Sequence, residues 1–144
     1  MKKERCHLVT DYHPHPDLLA HPITSEQELK KIVYQLVDTL RYLHRHQVCH
    51  RDIKPENILY DKVKQVVTLV DFGVSAKLNK RGRKVDMFTV TGTPSYRAPE
   101  MFEYGYNESV DMWALGVTIF QLMTGYTPFE AEYHSDTIAN ILKG

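Results

Sequence analysis

The stretch CHRDIKPENILY, residues 49–60, gathers several kinds of polar side chain around one proline and then becomes apolar. Within it, Lys54 follows Asp52 by two positions, and Asn57 follows Lys54 by three. A carboxylate, an ammonium group and an amide are thus brought together on a short piece of chain. The segments on either side indicate where this stretch lies in the fold.

A helix is predicted before this stretch and a β-hairpin after it. Residues 23–47 place apolar side chains on one helical face, and Ser25 with Glu28 forms the pattern of a capping box. Residues 56–60 and 65–72 are short apolar or β-branched runs separated by the polar DKVK, which is typical of a hairpin. The polar stretch therefore lies on the loop between them. The apolar helical face consists of Leu29, Ile32, Val33, Leu36, Leu40 and Leu43.

Four further segments can be recognised. Residues 6–12, CHLVTDY, are predicted to form a short strand. Residues 71–100 are long and aperiodic, which favours a functional or mobile segment over an ordinary connection. Residues 109–125 are apolar almost all round and predict a helix buried on most sides, and residues 134–144 predict another helix. The candidate N-caps of that last helix are Ser135 and Asp136.

Length and charge favour one domain without a general affinity for polyanions. The 144 residues suit a single core, and the 18 Lys and Arg balance the 18 Asp and Glu, so no nucleic-acid or membrane partner is expected. Cys6 and Cys49 show no metal-ligand spacing and are interpreted as buried thiols of a reducing compartment. No stretch approaches the roughly 20 apolar residues of a membrane span. We expect a cytoplasmic protein, with a nuclear location as the alternative.

Several motifs in series resemble those of eukaryotic protein kinases. They are His50-Arg51-Asp52 with Lys54 and Asn57, Asp71-Phe72-Gly73, TGTPSY, Ala98-Pro99-Glu100 and DMWALGV. The resemblance extends from about residue 5 to the end. It implies an α+β fold, namely the mainly helical large lobe of the kinase fold with a short β-hairpin. Residues 1–144 would then be one partial kinase domain, truncated at both ends.

The resemblance implies phosphoryl transfer from ATP to protein substrates. Asp52 would orient the substrate hydroxyl and accept its proton, while Lys54 would offset charge on the moving phosphoryl group. Asn57 and Asp71 would hold Mg²⁺ against the ATP phosphates, because hard oxygen ligands suit this ion. The alternative is a polar turn in which Asp52 and Asn57 only bond local backbone.

The same resemblance assigns structural roles. Phe72 and His50 would stack in a hydrophobic spine anchored at Asp111, which should accept hydrogen bonds from the catalytic-loop backbone. The alternative for Asp111 is an exposed position in the first turn of its helix. Glu100 would pair with an arginine from later helices that this sequence does not contain.

Residues 8–17 resemble the segment that cups adenine. Thr10 takes the gatekeeper position, and Asp11, Tyr12 and His13 would offer backbone hydrogen bonds. Asp17 would lie near the ribose, or alternatively cap the turn after Pro16. Leu59 would form the floor under adenine, although it equally suits the hairpin core. A metal site at His13, His15 and His21 is a further alternative, but prolines disrupt any regular face there.

Regulation and specificity also follow from the resemblance. Lys54 and Thr93 match the serine/threonine branch, and TGYTPFEAE, residues 124–132, resembles calcium/calmodulin-dependent kinases. Thr89 is the best phosphate acceptor in the activation segment, with Arg51 as its expected partner and help from the basic run at residues 79–84. That run is alternatively a solvated loop. Substrates with an upstream arginine are expected through Asp17 and Glu56, whereas Gln121 supplies no charge.

Two classes of function remain open. In the first, the chain is part of a longer serine/threonine kinase that supplies the missing lobe segments, such as the glycine-rich loop. In the second, it is a noncatalytic kinase-lobe binding module or a truncated inactive product. The intact set of Asp52, Asn57 and Asp71 favours the enzyme, because degenerate kinases typically lose one of them.

Overall fold

A computed structural model describes residues 9–78, 90–102 and 105–144. These residues contain three helices and two short antiparallel strand pairs. The helices are α1 (Glu26–Arg45), α2 (Ser109–Thr124) and α3 (His134–Lys143), and the strands are β1 (Val48–Cys49), β2 (Ile58–Asp61), β3 (Val66–Leu69) and β4 (Ala76–Lys77). Strand β1 pairs with β4, and β2 pairs with β3. Three 3₁₀ turns complete the described chain: Pro55–Asn57, Pro94–Tyr96 and Pro99–Phe102.

Helix α1 confirms the predicted amphipathic pattern. Ile32, Leu36 and Leu40 are buried, and the other predicted face residues are partly buried. Ser25 caps the helix, since its hydroxyl accepts a hydrogen bond from the Glu28 amide over 3.1 Å. The reciprocal half of the capping box differs from the prediction: the Glu28 carboxylate accepts from the amide and hydroxyl of Thr24 instead. The side chains of Ser25 and Glu28 therefore still accept hydrogen bonds at the helix start, but the backbone amide that Glu28 reaches is that of Thr24 and not that of Ser25.

The predicted hairpin is confirmed, with Ile58 opposite Leu69 and Asp61 opposite Val66. Asp61 shapes its turn, because one carboxylate oxygen accepts from the amides of Val63 and Lys64, each over 3.0 Å. The amide of Val70 donates to the carbonyl of Asn57 over 2.9 Å. The end of the hairpin is thereby fixed beside the polar loop.

Helix α2 supplies buried side chains to both hydrophobic clusters of the described chain. Ala114, Leu115 and Val117 belong to the larger cluster, and Val110 belongs to the smaller one. The larger cluster joins α1, the loop at Ile53 and the hairpin to α2. Met112 and Met123 are exposed, so the helix is less completely buried than its composition predicts.

Two local predictions need correction, and one strand pairing was missed. Residues 9–12 form no strand, while residues 6–8 of that prediction lie outside the described residues. Tyr133, without a side-chain cap bond, precedes α3, so Ser135 and Asp136 lie in its first turn instead. The pairing of β1 with β4 was not predicted, because strands of two residues carry no periodic signal.

Cys49 is a buried free cysteine, as predicted, and burial raises the pKa of its thiol. Cys6 lies outside the described residues. Among the helices that the structure describes, none combines the length and apolar character that a membrane span needs.

Candidate active site

The polar loop is anchored to helix α2 by one buried carboxylate. Asp111 accepts hydrogen bonds from the amides of His50 (2.9 Å) and Arg51 (2.8 Å), and it is fully buried. These are the backbone bonds expected of Asp111, and the alternative of an exposed acid does not apply. His44, at the end of α1, also contacts Asp111, with 2.8 Å between Nε2 and Oδ2. One side chain thus ties α1, the loop and α2 together.

Burial raises the pKa of the Asp111 carboxyl, but the hydrogen bonds from His44 and from the two loop amides outweigh it and hold the pKa below its ordinary value. The ionised form is therefore the native one. The Asp111 carboxylate also stabilises an unfavourable backbone conformation at Arg51. Arg51 adopts a φ of 69°, which costs a non-glycine residue energy and persists only where the surroundings impose it.

Asp52 lies where the anchored loop meets the 3₁₀ turn at Pro94–Tyr96. One carboxylate oxygen accepts from the amide (2.9 Å) and the hydroxyl (3.1 Å) of Thr93. The other accepts from the side-chain amide of Asn57 over 2.9 Å and lies 3.3 Å from the Lys54 ammonium group. Lys54 in turn donates to the Thr93 hydroxyl over 2.7 Å. The carboxylate, ammonium group and amide of the opening motif therefore do converge.

The electrostatics of this cluster favour an ionised Asp52. Burial raises the pKa of the Asp52 carboxyl, but the Thr93 hydrogen bonds, the Lys54 charge and the Asn57 amide together lower it below its ordinary value. An oriented, ionised carboxylate can accept a proton from an incoming hydroxyl. Asn57 donates to the backbone of Asp52, as the polar-turn alternative requires. The bonds from Thr93, which is 41 positions away, go well beyond a local turn.

A second region, at the end of strand β3, forms an open cavity of about 620 Å³. It is lined by Thr10, Asp11, His13, and residues 68–73. A cavity of this size suits a small-molecule ligand. Of the residues predicted to contact nucleotide, Asp11 and His13 line it. The other three, Tyr12, Asp17 and Leu59, are not among its lining residues.

Asp17 and Leu59 lie together next to the hairpin rather than in the cavity. They form an isolated antiparallel bridge, and Leu59 pairs with Thr68 of β3. The Asp17 carboxylate accepts from the amide of Ala20 over 2.9 Å. This is the turn-capping contact named as the alternative for Asp17.

The Asp71-Phe72-Gly73 turn borders the cavity. Asp71 adopts a φ of 62° and accepts from the Gly73 amide over 3.1 Å. Phe72 makes an edge-to-face contact with His50, with 4.8 Å between ring centroids, as the spine prediction requires. Phe72 nevertheless remains 44% exposed, whereas His50 is fully buried.

The oxygen donors of Asn57 and Asp71 fit a hard cation. The Asn57 side-chain nitrogen donates to Asp52. The side-chain oxygen of Asn57 is therefore the atom that can ligate a cation. Asp71 adds a carboxylate, and the bond from the Val70 amide to the Asn57 carbonyl keeps the two chain segments adjacent. Amide and carboxylate oxygens are ligands that Mg²⁺ accepts while keeping several waters.

The remaining predicted residues have defined contacts. The Arg51 guanidinium donates to the carbonyl of Val74 (2.6 Å) and to the hydroxyl of Tyr106 (3.3 Å), while its expected partner Thr89 lies outside the described residues. Glu100 accepts from the Ser109 hydroxyl over 3.1 Å.

The histidines considered for metal binding have carboxylate neighbours. His15 lies 3.2 Å from Asp61, and His21 lies 3.6 Å from Glu28. Within the part of the chain that the structure describes, no group of three or more His, Cys, Asp or Glu side chains could hold a metal ion.

Two contributors were missed by sequence reasoning. His44 gave no signal beyond its place at the end of an amphipathic helix. Arg97 precedes Ala98-Pro99-Glu100, and its guanidinium donates to the carbonyls of Thr91 (2.9 Å) and Gly92 (2.6 Å). Its position inside a recognised motif run was the only available hint.

Comparison with known proteins places this arrangement in a family. The protein kinase domain profile matches residues 1–144, the whole chain. The chain belongs to the protein kinase family. Its relatives include mouse Aurora kinase B, 38% identical over 146 residues that cover 98% of this chain and 41% of that protein.

Two other relatives carry kinase names. A probable myosin light chain kinase of Dictyostelium discoideum is 42% identical over 82% of this chain and 30% of its own length. Human serine/threonine-protein kinase H2 is 38% identical over 88% of this chain and 34% of its own length. The chain thus spans 30% to 41% of the length of these curated relatives. It is a kinase-domain fragment homologous to serine/threonine kinases.

Proposed function

We propose that this chain is the catalytic centre of a protein serine/threonine kinase, which transfers the γ-phosphate of ATP to Ser or Thr hydroxyls of protein substrates within a longer product. The observation that carries the proposal is the Asp52 cluster. Its carboxylate accepts from Thr93 and Asn57 and lies beside Lys54. Oriented and ionised, it can align a substrate hydroxyl and take its proton.

The remaining roles in this proposal follow the chemistry of each side chain. Lys54 offsets charge on the transferring group, because the transition state is loose and highly charged. Asn57 and Asp71 would hold Mg²⁺, which neutralises the ATP phosphates when bound. The cavity beside Asp71 would receive the nucleotide, with Asp11 and His13 near the base and Thr10 at the gatekeeper position. The noncatalytic alternative predicts binding without turnover.

Turnover of the longer protein with radiolabelled ATP and a Ser/Thr peptide library tests this proposal. We expect Asp52→Asn to lower kcat by at least ~100-fold while ATP affinity changes little, because the proton acceptor is lost. Asp71→Asn should lower activity and raise the Mg²⁺ concentration needed for half-maximal rate. Asp136→Asn, in the first turn of α3, is the control. If Asp52→Asn stays within a few-fold of the parent, the catalytic assignment is wrong.

Regulation by phosphorylation of Thr89 belongs to the same proposal. The phosphate would add charge-assisted hydrogen bonds to the guanidinium of Arg51, which now donates to Val74 and Tyr106. Thr89→Ala in the longer enzyme should lower activity and increase proteolysis within residues 74–97. Unchanged activity and unchanged proteolysis would contradict this regulation.

Substrate preference can be proposed from two acids, the half-buried Asp17 and the exposed Glu56. A guanidinium paired with a partly exposed carboxylate gains on the order of 1 kcal/mol, which corresponds to roughly fivefold to tenfold in rate preference. Gln121 adds little, because its side-chain oxygen already accepts from the Tyr96 hydroxyl. A positional-scanning library should favour arginine three residues before the acceptor. Asp17→Ala should remove that preference, and a preference that survives would reassign it to Glu56.

The subgroup is proposed from residues 124–132, which resemble calcium/calmodulin-dependent kinases. In this segment Gly125 ends α2 with a φ of 86°, and Phe129 stacks on Trp113 with 5.5 Å between ring centroids. Stimulation of the longer protein by calcium and calmodulin is the test of this finer assignment. No response would remove it and leave the kinase proposal intact.

A further inference from the structure

The turn that presents Thr93 to Asp52 has its own support. Gly92, directly before Thr93, adopts a φ of 81° and passes against the catalytic loop: a Cβ at this position would lie 2.5 Å from the carbonyl oxygen of Arg51. A left-handed residue in such close contact has little room to shift. The position of the Thr93 amide therefore depends on what holds residues 91 and 92.

Arg97 holds both of these residues. Its Nε donates to the Thr91 carbonyl over 2.9 Å, and a terminal nitrogen donates to the Gly92 carbonyl over 2.6 Å. Two donors of one planar guanidinium fix two successive carbonyls, which fixes the peptide between them. Backbone bonds from Tyr96 to Thr93 and from Arg97 to Pro94 close the other side of the turn.

Arg97 is half-buried near Asp52. It lines, together with Asp52 and Thr93, a small cavity between the catalytic loop and this turn. Burial lowers the pKa of Arg97, and the charge of Asp52 counteracts that effect. A desolvated guanidinium is retained at a cost, so its two hydrogen bonds need to be made.

We propose that Arg97 is a positioning residue for phosphoryl transfer: its fork on the Thr91 and Gly92 carbonyls aims the Thr93 amide and hydroxyl at Asp52. This inference rests on the proposed function. Arg97 touches neither substrate nor the reacting atoms. It acts through the backbone of residues 91–93, and its loss leaves the carboxylate present but without its fixed donors.

The first test measures the Thr93 amide in the chain itself and does not depend on catalysis. In Arg97→Met, hydrogen exchange at the Thr93 amide should be at least about tenfold faster than in the parent chain. The ¹H chemical shift of this amide should also move toward the value that the Thr93 amide shows in Asp52→Asn. Arg97→Lys keeps the charge but loses the planar fork, so it should show most of the same effect. Arg45→Met, which removes a charge from the exposed end of α1, should leave the Thr93 amide unchanged.

The outcomes separate positioning from charge and from general stability. Unchanged Thr93 exchange in both Arg97 variants would overturn the proposal. A change in Arg97→Met but none in Arg97→Lys would also overturn it, because the charge alone would then account for the effect. Exchange that rises equally at Thr93 and at the Ile32 amide of α1 would also overturn it, because it would report loss of global stability. If Arg97→Met does not fold, the Lys variant alone decides.

The second test uses the longer enzyme. Arg97→Lys should lower kcat by about tenfold or more while KM for ATP stays within about twofold, because only the alignment of Asp52 is altered. A wild-type kcat would contradict positioning. An inactive parent enzyme would instead refute the proposed function, while the amide measurement would still decide the role of Arg97.

Discussion

The polar loop that carries Asp52 and the cavity lined by Asp71 and Phe72 are held very differently. In the loop, His50 is fully buried, and its amide donates to the fully buried Asp111 of α2. At the cavity, Phe72 is 44% exposed and Asp71 is exposed. The contacts within the described chain thus hold the polar loop firmly but leave the Asp71-Phe72-Gly73 turn partly open to solvent.

This difference has an energetic meaning. Buried, satisfied polar groups open only with large parts of the structure, whereas exposed turns with few apolar contacts open locally. The loop should therefore share the stability of α2. The Asp71-Phe72-Gly73 turn should report local motion and respond to a bound ligand.

The largest effect is expected when the loop loses its anchor. Asp111→Ala leaves three hydrogen-bond donors without an acceptor and removes the support for the positive φ of Arg51. Breaking such a buried charged contact costs about 3–5 kcal/mol of unfolding free energy. Urea denaturation measures this, and Asp136→Ala in the first turn of α3 is the matched control. A loss below about 1 kcal/mol for Asp111→Ala would contradict the anchoring role.

The next comparison removes an apolar side chain from each region. Ile53, in the loop, is 1% exposed, so Ile53→Ala should cost about 3 kcal/mol of unfolding free energy. Phe72→Ala should cost clearly less, about 1 kcal/mol, because nearly half of its ring already contacts solvent. Equal losses in urea denaturation would show that the cavity side is packed as firmly as the loop.

Three glycines sharpen the comparison on the backbone level. Gly92→Ala should cost about 2 kcal/mol or more, since it adds a close contact with the Arg51 carbonyl to a positive φ. Gly125→Ala has the same strain in open space and should cost about 1 kcal/mol. A Cβ added at Gly116, inside α2, would meet no atom within 4 Å beyond the helix's own nearby backbone. Gly116→Ala should therefore stabilise the protein by about 0.5 kcal/mol. Thermal unfolding should rank them in this order, and a Gly92 variant no worse than the Gly125 variant would contradict the close packing of the turn.

The smallest effect concerns pH. Burial lowers the pKa of His50, and its contacts with Val70 and Asp111 only partly offset this. The unfolded chain therefore binds a proton more readily, so stability is fully present above about pH 6.5 and declines as pH falls below that value. The lowered pKa values of Asp52 and Asp111 add a further loss below about pH 4.

The matched variant for this pH dependence is His50→Phe, which removes the titrating ring. It should flatten the stability curve between about pH 5 and 6.5 while the acid limb remains. A curve that keeps its full slope in that interval would assign the effect to another histidine.

The sequence predicted the parts of the fold that carry a strong periodic or turn signal. Helix α1 and the β2–β3 hairpin follow from apolar spacing and from the polar turn at Asp61. The bonds from the loop amides to Asp111 followed from the resemblance to protein kinases together with the cost of burying an acid on an apolar helix. Each of these depends on residues that are close in sequence or on one strong energetic constraint.

The parts that could not be predicted depend on contacts between distant segments. The two-residue strands β1 and β4 exist only because their partners meet in space. His44 reaches Asp111 across 67 positions, and no local pattern indicates that meeting. The Arg97 fork depends on the exact path of the turn at Gly92, which the positive φ creates.

The most direct test of the difference between the two regions is native-state hydrogen exchange, resolved by residue. The amides of His50 and Arg51, bonded to Asp111, should exchange at least about 100-fold more slowly than those of Gly73 and Ser75, whose bonds lie within the exposed turn. Protection of His50 and Arg51 close to that of the α2 amides is the predicted result. Equal exchange in the loop and in the turn would contradict the account.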